Sequence, residues 1–324
     1  MLEAPALHPH AVRFAERSVA HDPIRKILVV VDPTALSHAS LQKAARIASA
    51  FGGSIEIFCC MPPADLPEAW AGGTTLAAYR GVLRERQMHA LERLAKPLRA
   101  HGLAVTVDCV CTAQVPEAIV AHAIRSKADL VVKDVAVQPS PAPRETTQLD
   151  WLLIRAMPVP LLLARPGAWP SHPRICVAVD PCHPGERPAA LDDALIGAGS
   201  SLGRALSGVV QLVHTLQSPP HLPGEVVAPA ARQEAHAHAR EAVEHLAHRA
   251  GIPQQAIHYV AERIPEGILE LADESGADIV VMGAGARPRV QYSAASTASL
   301  VLELSNCDLL VVKAPGFVSP ILVE

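Results

Sequence analysis

The chain has 324 residues, 50% of them hydrophobic, which is material for two ordinary cores, and a formal net charge of -4 that gives no general attraction to phosphate polymers. Only 3% of residues are aromatic, so stacking platforms for single-stranded nucleic acid are scarce and nucleic acid is excluded as an expected partner. No apolar run reaches the ~18 residues that would span a bilayer and no signal-peptide core leads the chain, so the expectation is a cytoplasmic protein with no membrane partner.

In chain order, residues 1–23 lack periodicity and read as a leader. IRKILVVVD (24–32) predicts a buried strand closed by Asp32, and Ser37–Phe51 an amphipathic helix stopped by Gly52 and Gly53. Ser54–Met61 reads as a second strand, Leu76–His101 as a long helix ended by Gly102, and Val105–Cys111 as a third strand. A helix starting near Pro116 and Glu117 leads to the strand DLVVKD (129–134); a helix over Leu149–Ala156 and the strand PLLLAR (160–165) follow. Strands alternating with helices predict a parallel sheet covered on both faces.

The order then repeats. PRICVAVD ends at Asp180 as the first strand ends at Asp32, and IPEGILELADESGADIVVMG (264–283) parallels VPEAIVAHAIRSKADLVVKD (115–134). Pro116 and Pro265, Asp129 and Asp278, and Gly167 and Gly316 all stand 149 residues apart, a shared spacing that points to an internal duplication. Two α/β domains are expected, 24–167 and 172–320, as two parallel sheets with Asp32 and Asp180 at the carboxyl edges.

Ile279–Met282 predicts a strand punctuated by Gly283 and Gly285, after which Ser296 and Thr297 open a helix. Free N–H groups at that helix start, facing glycines, make the geometry of an anion site. In the first half the place of Gly283 is taken by Asp134, preceded by Lys133 and followed by Asp150. A carboxylate there repels a phosphate, so this half is expected to hold no nucleotide and to carry instead a polar cluster.

The loop resembles that of the universal stress protein family, whose ATP-binding members carry Gly, two residues, Gly, nine residues, then Gly-Ser or Gly-Thr. That spacing falls on Gly283, Ala286, Ser296 and Thr297, so two of the three glycines are absent, with Gly285 one position early. The tandem E type is similar in its Asp150-Trp151 segment and in CDLLVVKAPGFVSP (307–320). The resemblance implies two flavodoxin-like (Rossmann-like) domains, each a five-stranded parallel sheet with helices on both faces, and a role in stress survival. It also implies ATP or a related adenine nucleotide, with Mg, at Asp180, Met282, Gly283, Gly285, Ala286, Ser296 and Thr297.

Other chemistry is weaker. The G-x-x-x-x-G-K-[ST] loop is absent and no hydrolase motif places a catalytic residue, so no enzyme is required beyond slow ATP hydrolysis. Arg287 and Arg289 are the cations expected near the second-half loop. The helix holding Glu234/His238, Glu241/His245 and Glu244/His248 is favoured as a solvated face over a metal site. The seven cysteines, an odd number without C-x-x-C spacing, read as reduced and mostly core thiols. Two functions stay open: a nucleotide-sensing stress module, and an interaction protein whose halves bind protein partners, another small ligand or a second copy.

Overall fold

The computed structural model describes residues 24–35, 37–61, 75–135, 148–182, 190–216, 228–260, 264–284 and 296–321. The first half contains β1 (Lys26–Val30), α1 (Ala39–Phe51), β2 (Ser54–Met61), α2 (Leu76–Ala100), β3 (Ala104–Cys111), α3 (Val115–Arg125), β4 (Leu130–Asp134), α4 (Gln148–Ala156) and β5 (Leu161–Ala164). The second contains β6 (Arg174–Ala178), α5 (Ala190–Leu206), β7 (Val209–Thr215), α6 (Pro229–Ala250), β8 (Ile257–Val260), α7 (Glu266–Ser275), β9 (Ile279–Gly283), α8 (Thr297–Leu304) and β10 (Asp308–Val312). The leader, 1–23, lies outside the described residues.

The inner strands are apolar on both faces because both faces are covered. Along β1, Ile27 and Val29 enter one core while Leu28 and Val30 enter the other. The first core takes α1, α2, α5 and α6, through residues such as Ile47, Leu91, Leu195 and Val243. The second takes α3, α4, α7 and α8, through Ile119, Ile154, Leu271 and Val301. Each core runs through both halves.

The strands do not form two sheets. They form one ten-stranded sheet in the order β3-β2-β1-β4-β5-β10-β9-β6-β7-β8. All neighbours are parallel except β5 and β10, which pair antiparallel at the centre with Leu162 opposite Leu310. The expectation of separate sheets fails because LLLA and DLLVV would each have been an unpaired apolar edge, and pairing them covers both. Within each half the order reverses between β1 and β4, or β6 and β9, which makes those gaps the switch points where open α/β sheets bind ligands. Asp32 and Asp180 follow the carboxyl ends of β1 and β6, as expected.

Two cations cross the seam. Arg165, after β5, donates from its guanidinium to Leu302 O near the end of α8. Lys313, after β10, donates to Ile154 O (2.7 Å) and Arg155 O (3.2 Å) at the end of α4. Helix carboxyl ends carry unpaired carbonyls and partial negative charge, so each half caps the last helix of the other. These partners also refine the repeat: Arg165 and Lys313, like Ile154 and Leu302, stand 148 apart, one less than the proline and aspartate landmarks before them, and α8 is one residue shorter than α4. A third bridge buries Lys43 of α1 against Asp308 of β10, with Nζ–O distances of 2.8 and 2.7 Å. Burial raises the Asp308 carboxyl above its usual range, opposed by Lys43, the Arg165 amide and Trp169.

Candidate functional site

At the first-half switch point the chain fills the anion position itself. α1 begins at Ala39 rather than Ser37, and its N-cap residue, His38, makes no side-chain capping bond. The cap comes from β4: Asp134 accepts from Ser40 N (2.8 Å) and Ser40 Oγ (2.7 Å). A carboxylate on the first N–H groups of a helix sits where a bound phosphate would. Beside it, Lys133 Nζ donates to Asp150 Oδ1 (2.8 Å) and to Asp134 O (2.8 Å), and Asp150 is fully buried. The expected polar cluster is thus an ordered, buried ion pair and a tertiary helix cap. Asp32 is exposed and bonded within its own turn, accepting from Thr34 N (2.8 Å) and Thr34 Oγ1 (2.6 Å).

The second-half switch point has the same frame without those charges. Register and helix spacing put Met282 where Lys133 stands, Gly283 where Asp134 stands and Ala298 where Asp150 stands. Gly283 ends β9 as a strand residue and is not among the glycines in the left-handed region. The Met282 side chain is buried in the core beside α8 and leaves only its backbone to a ligand. Ser296 is the N-cap of α8, accepting from Ser299 N (3.2 Å) and lying 2.9 Å from Ser299 Oγ; Thr297 is the first helical residue. The hydroxyl of Ser296 is committed to the helix, and the backbone N–H groups of the first turn are what it can offer an anion. Asp180, half-buried, donates its amide to Asp192 Oδ1 (3.0 Å) in the first turn of α5. Behind it the buried His214 donates from Nδ1 to Val179 O (2.9 Å), since a carbonyl can only accept. Asp180, Gly283, Ser296 and Thr297 therefore belong to one sheet edge and the helix that follows it; Gly285, Ala286, Arg287 and Arg289 lie outside the described residues.

Two contributors were not anticipated. Asp192 shows in sequence only as an acidic first turn. Lys313 shows in sequence only as the residue after the apolar run DLLVV, yet its Nζ also donates to Ala284 O (2.8 Å), the residue that leaves β9. Burial pushes its ammonium down to about 8, helped by the nearby Arg155 charge. The remaining chemistry is quiet. Burial pushes the Cys59 and Cys176 thiols up to about 12 and Cys60 up to about 11, which keeps them protonated and unreactive. The six residues of the histidine-rich face of α6 are exposed, and among the described residues no three His, Cys, Asp or Glu side chains are grouped to hold a metal.

With the geometry in place, comparison with known proteins becomes informative. The sequence profile of the universal stress protein family matches this chain twice, over residues 23–135 and 172–313. The chain belongs to the universal stress protein family. Universal stress protein E of Photorhabdus laumondii is 25% identical over 92% of this chain and 97% of its own length, and universal stress protein E of Escherichia coli K12 is 26% identical over 92% and 96%. Among solved structures, a functionally unknown protein from Pseudomonas aeruginosa superposes with a TM-score of 0.69 at 22% identity, covering 90% of this chain and 93% of that one. A universal stress protein from Archaeoglobus fulgidus gives 0.67 at 15% identity, over 89% and 98%. These similarities establish a tandem universal stress protein with the α/β fold expected from its sequence. No helix among the described residues is long and apolar enough to cross a membrane.

Proposed function

We propose that this universal stress protein is a cytoplasmic stress-response module whose second half holds ATP or a related adenine nucleotide, with magnesium, and whose first half holds none. The supporting observation is the contrast at two equivalent strand ends: Asp134, at the end of β4, caps α1 in the first half, whereas the residue at the end of β9 in the second is Gly283. A phosphate entering the first half meets a carboxylate held at the first turn of α1 by Ser40. In the second half it meets a glycine, an uncharged Met282 and Ala298, and the backbone N–H groups of Thr297 and Ala298 at the start of α8. Asp180 would bond the ribose or base, and slow hydrolysis, if any, is incidental.

Calorimetric titration with magnesium-ATP tests this. Wild type should bind. Gly283→Asp should weaken binding by roughly thirtyfold or more, equivalent to about 2 kcal/mol, by placing a charge where the phosphates lie. Asp134→Gly should leave the affinity for the second half unchanged. No heat with wild type at about millimolar ATP rejects the nucleotide reading and leaves the interaction protein, whose tandem halves present a surface to partners.

A further inference from the structure

The seam cations differ in what they reach. Arg165 also donates from Nε to Cys307 O (3.2 Å), at the base of β10. Lys313 uses its three donors on carbonyls of two distinct elements: Ile154 and Arg155 in the last turn of α4, and Ala284 at the entrance to the loop after β9. Lys313 is 6% exposed, and its Nζ lies 4.7 Å from the centroid of the Phe317 ring, so water does not readily replace these bonds. The other end of α4 is fixed from within the first half, by Lys133 on the buried Asp150. Lys133 Nζ also holds Asp134 O, and the Asp134 carboxylate holds Ser40. A continuous hydrogen-bonded series therefore runs from the start of α1, through Asp134, Lys133, Asp150 and α4, to Lys313 and the second-half loop.

We propose that Lys313 is a positioning residue through which the self-capped first half sets Ala284 at the exit of β9, so that ligand binding in the second half depends on α4 of the first. Two states are implied. With α4 anchored at Asp150, its terminal carbonyls and Ala284 O share one ammonium and the loop entrance is fixed; with α4 released, Lys313 loses the fixed partners that aim it at Ala284. The dependence of binding rests on the nucleotide reading above, while the coupling between halves does not. The pattern accounts for the buried ion pair in the first half: the pair anchors the helix whose last carbonyls share the Lys313 ammonium with Ala284.

The test is amide hydrogen exchange on the full chain without ligand, at neutral pH, for wild type, Asp150→Asn, Lys313→Gln and Lys313→Arg. The amides read are those of Ala284, Ser299 and Leu300, which donate respectively to Val312 O, Ser296 Oγ and Ser296 O. Asp150→Asn, a first-half change, and Lys313→Gln should each speed exchange at these amides by about tenfold or more, with β7 and β8 unchanged; Lys313→Arg should restore protection. Absence of protection in wild type, or exchange at these amides unaffected by both Asp150→Asn and Lys313→Gln, overturns the coupling. Should Asp150→Asn fail to fold, the Lys313→Gln and Lys313→Arg comparison decides alone. Magnesium-ATP titration of the same proteins forms the second arm, with about tenfold weaker binding expected for Lys313→Gln. Unchanged affinity in a variant with faster exchange overturns the dependence of binding on α4; no binding by wild type overturns the nucleotide reading and leaves the exchange result to stand or fall separately.

Discussion

The two switch points are one backbone with two different occupants. In the first half, Lys133 links Asp134 and Asp150, and the Asp134 carboxylate caps α1; in the second, Met282, Gly283 and Ala298 replace all three charges with neutral groups. Duplication therefore conserved the frame while the same three positions diverged toward self-sufficiency on one side and openness on the other. The difference teaches that a helix start beside a switch point can be capped from a distant strand: a carboxylate of the chain itself supplies the acceptor.

The sharpest way to break this comparison is to give the first half the identities of the second. Lys133→Met alone should destabilise the protein by about 3–5 kcal/mol, because Asp150 is fully buried and would lose its cation. Lys133→Met combined with Asp150→Ala, copying Met282 and Ala298, should recover most of that loss, since a buried ion pair exchanged for apolar groups is often close to neutral. Urea denaturation with a shared slope measures both. If the double variant is as unstable as the single one, the pair does more than neutralise itself.

Much of this was legible in sequence and some could not be. β1, β4, β6 and β9 announce themselves as short β-branched runs, and the shared spacing of proline, aspartate and glycine landmarks identifies the repeat, because strand burial and helix starts leave local marks. The single sheet was not legible: LLLA and DLLVV look the same whether they face solvent, a partner or each other. The cap of α1 was also hidden, since Asp134 is 94 residues from Ser40, and only the β1·β4 pairing brings them together. Lys313 escaped for the same reason, its carbonyl partners being 159, 158 and 29 residues away. In the candidate site the glycine and the helix cap are local features and could be read; the atoms that brace them are not.

A second experiment sharpens the contrast through pH. Lys313 has its ammonium pushed from 10.5 down to about 8, chiefly by burial, with Arg155 adding to the effect. Below pH 8 both folded and unfolded chains hold the proton and the full burial penalty is present. Between about 8 and 10.5 the unfolded chain binds a proton the folded chain lacks, so this residue makes stability rise with pH, by up to about 3 kcal/mol in total. The raised thiols of Cys59, Cys60 and Cys176 act in the opposite sense above pH 9, since there the folded chain keeps protons that the unfolded chain releases. The measurement is therefore a difference: urea stability of wild type minus that of Lys313→Met, followed from pH 7 to 10. It should climb through that range because the thiols are common to both proteins. A flat difference would mean that the three carbonyls hold the ammonium in its ordinary range.

The smallest expected effect concerns how the two halves cap their helices. α8 is capped locally, by Ser296 Oγ accepting from Ser299 N, whereas α1 takes its cap from Asp134 on a distant strand and nothing from the His38 side chain. Ser296→Ala should cost about 1 kcal/mol and Ser296→Gly only a few tenths, because glycine at this position leaves the first turn accessible to water while alanine removes the acceptor without compensation. His38→Ala should leave α1 capped, since Asp134 supplies the acceptor. Thermal or urea denaturation of the three variants distinguishes a hydroxyl that caps from one that merely packs: equal losses for Ser296→Ala and Ser296→Gly would show that the side chain, not the hydrogen bond, is what the second half uses at the start of α8.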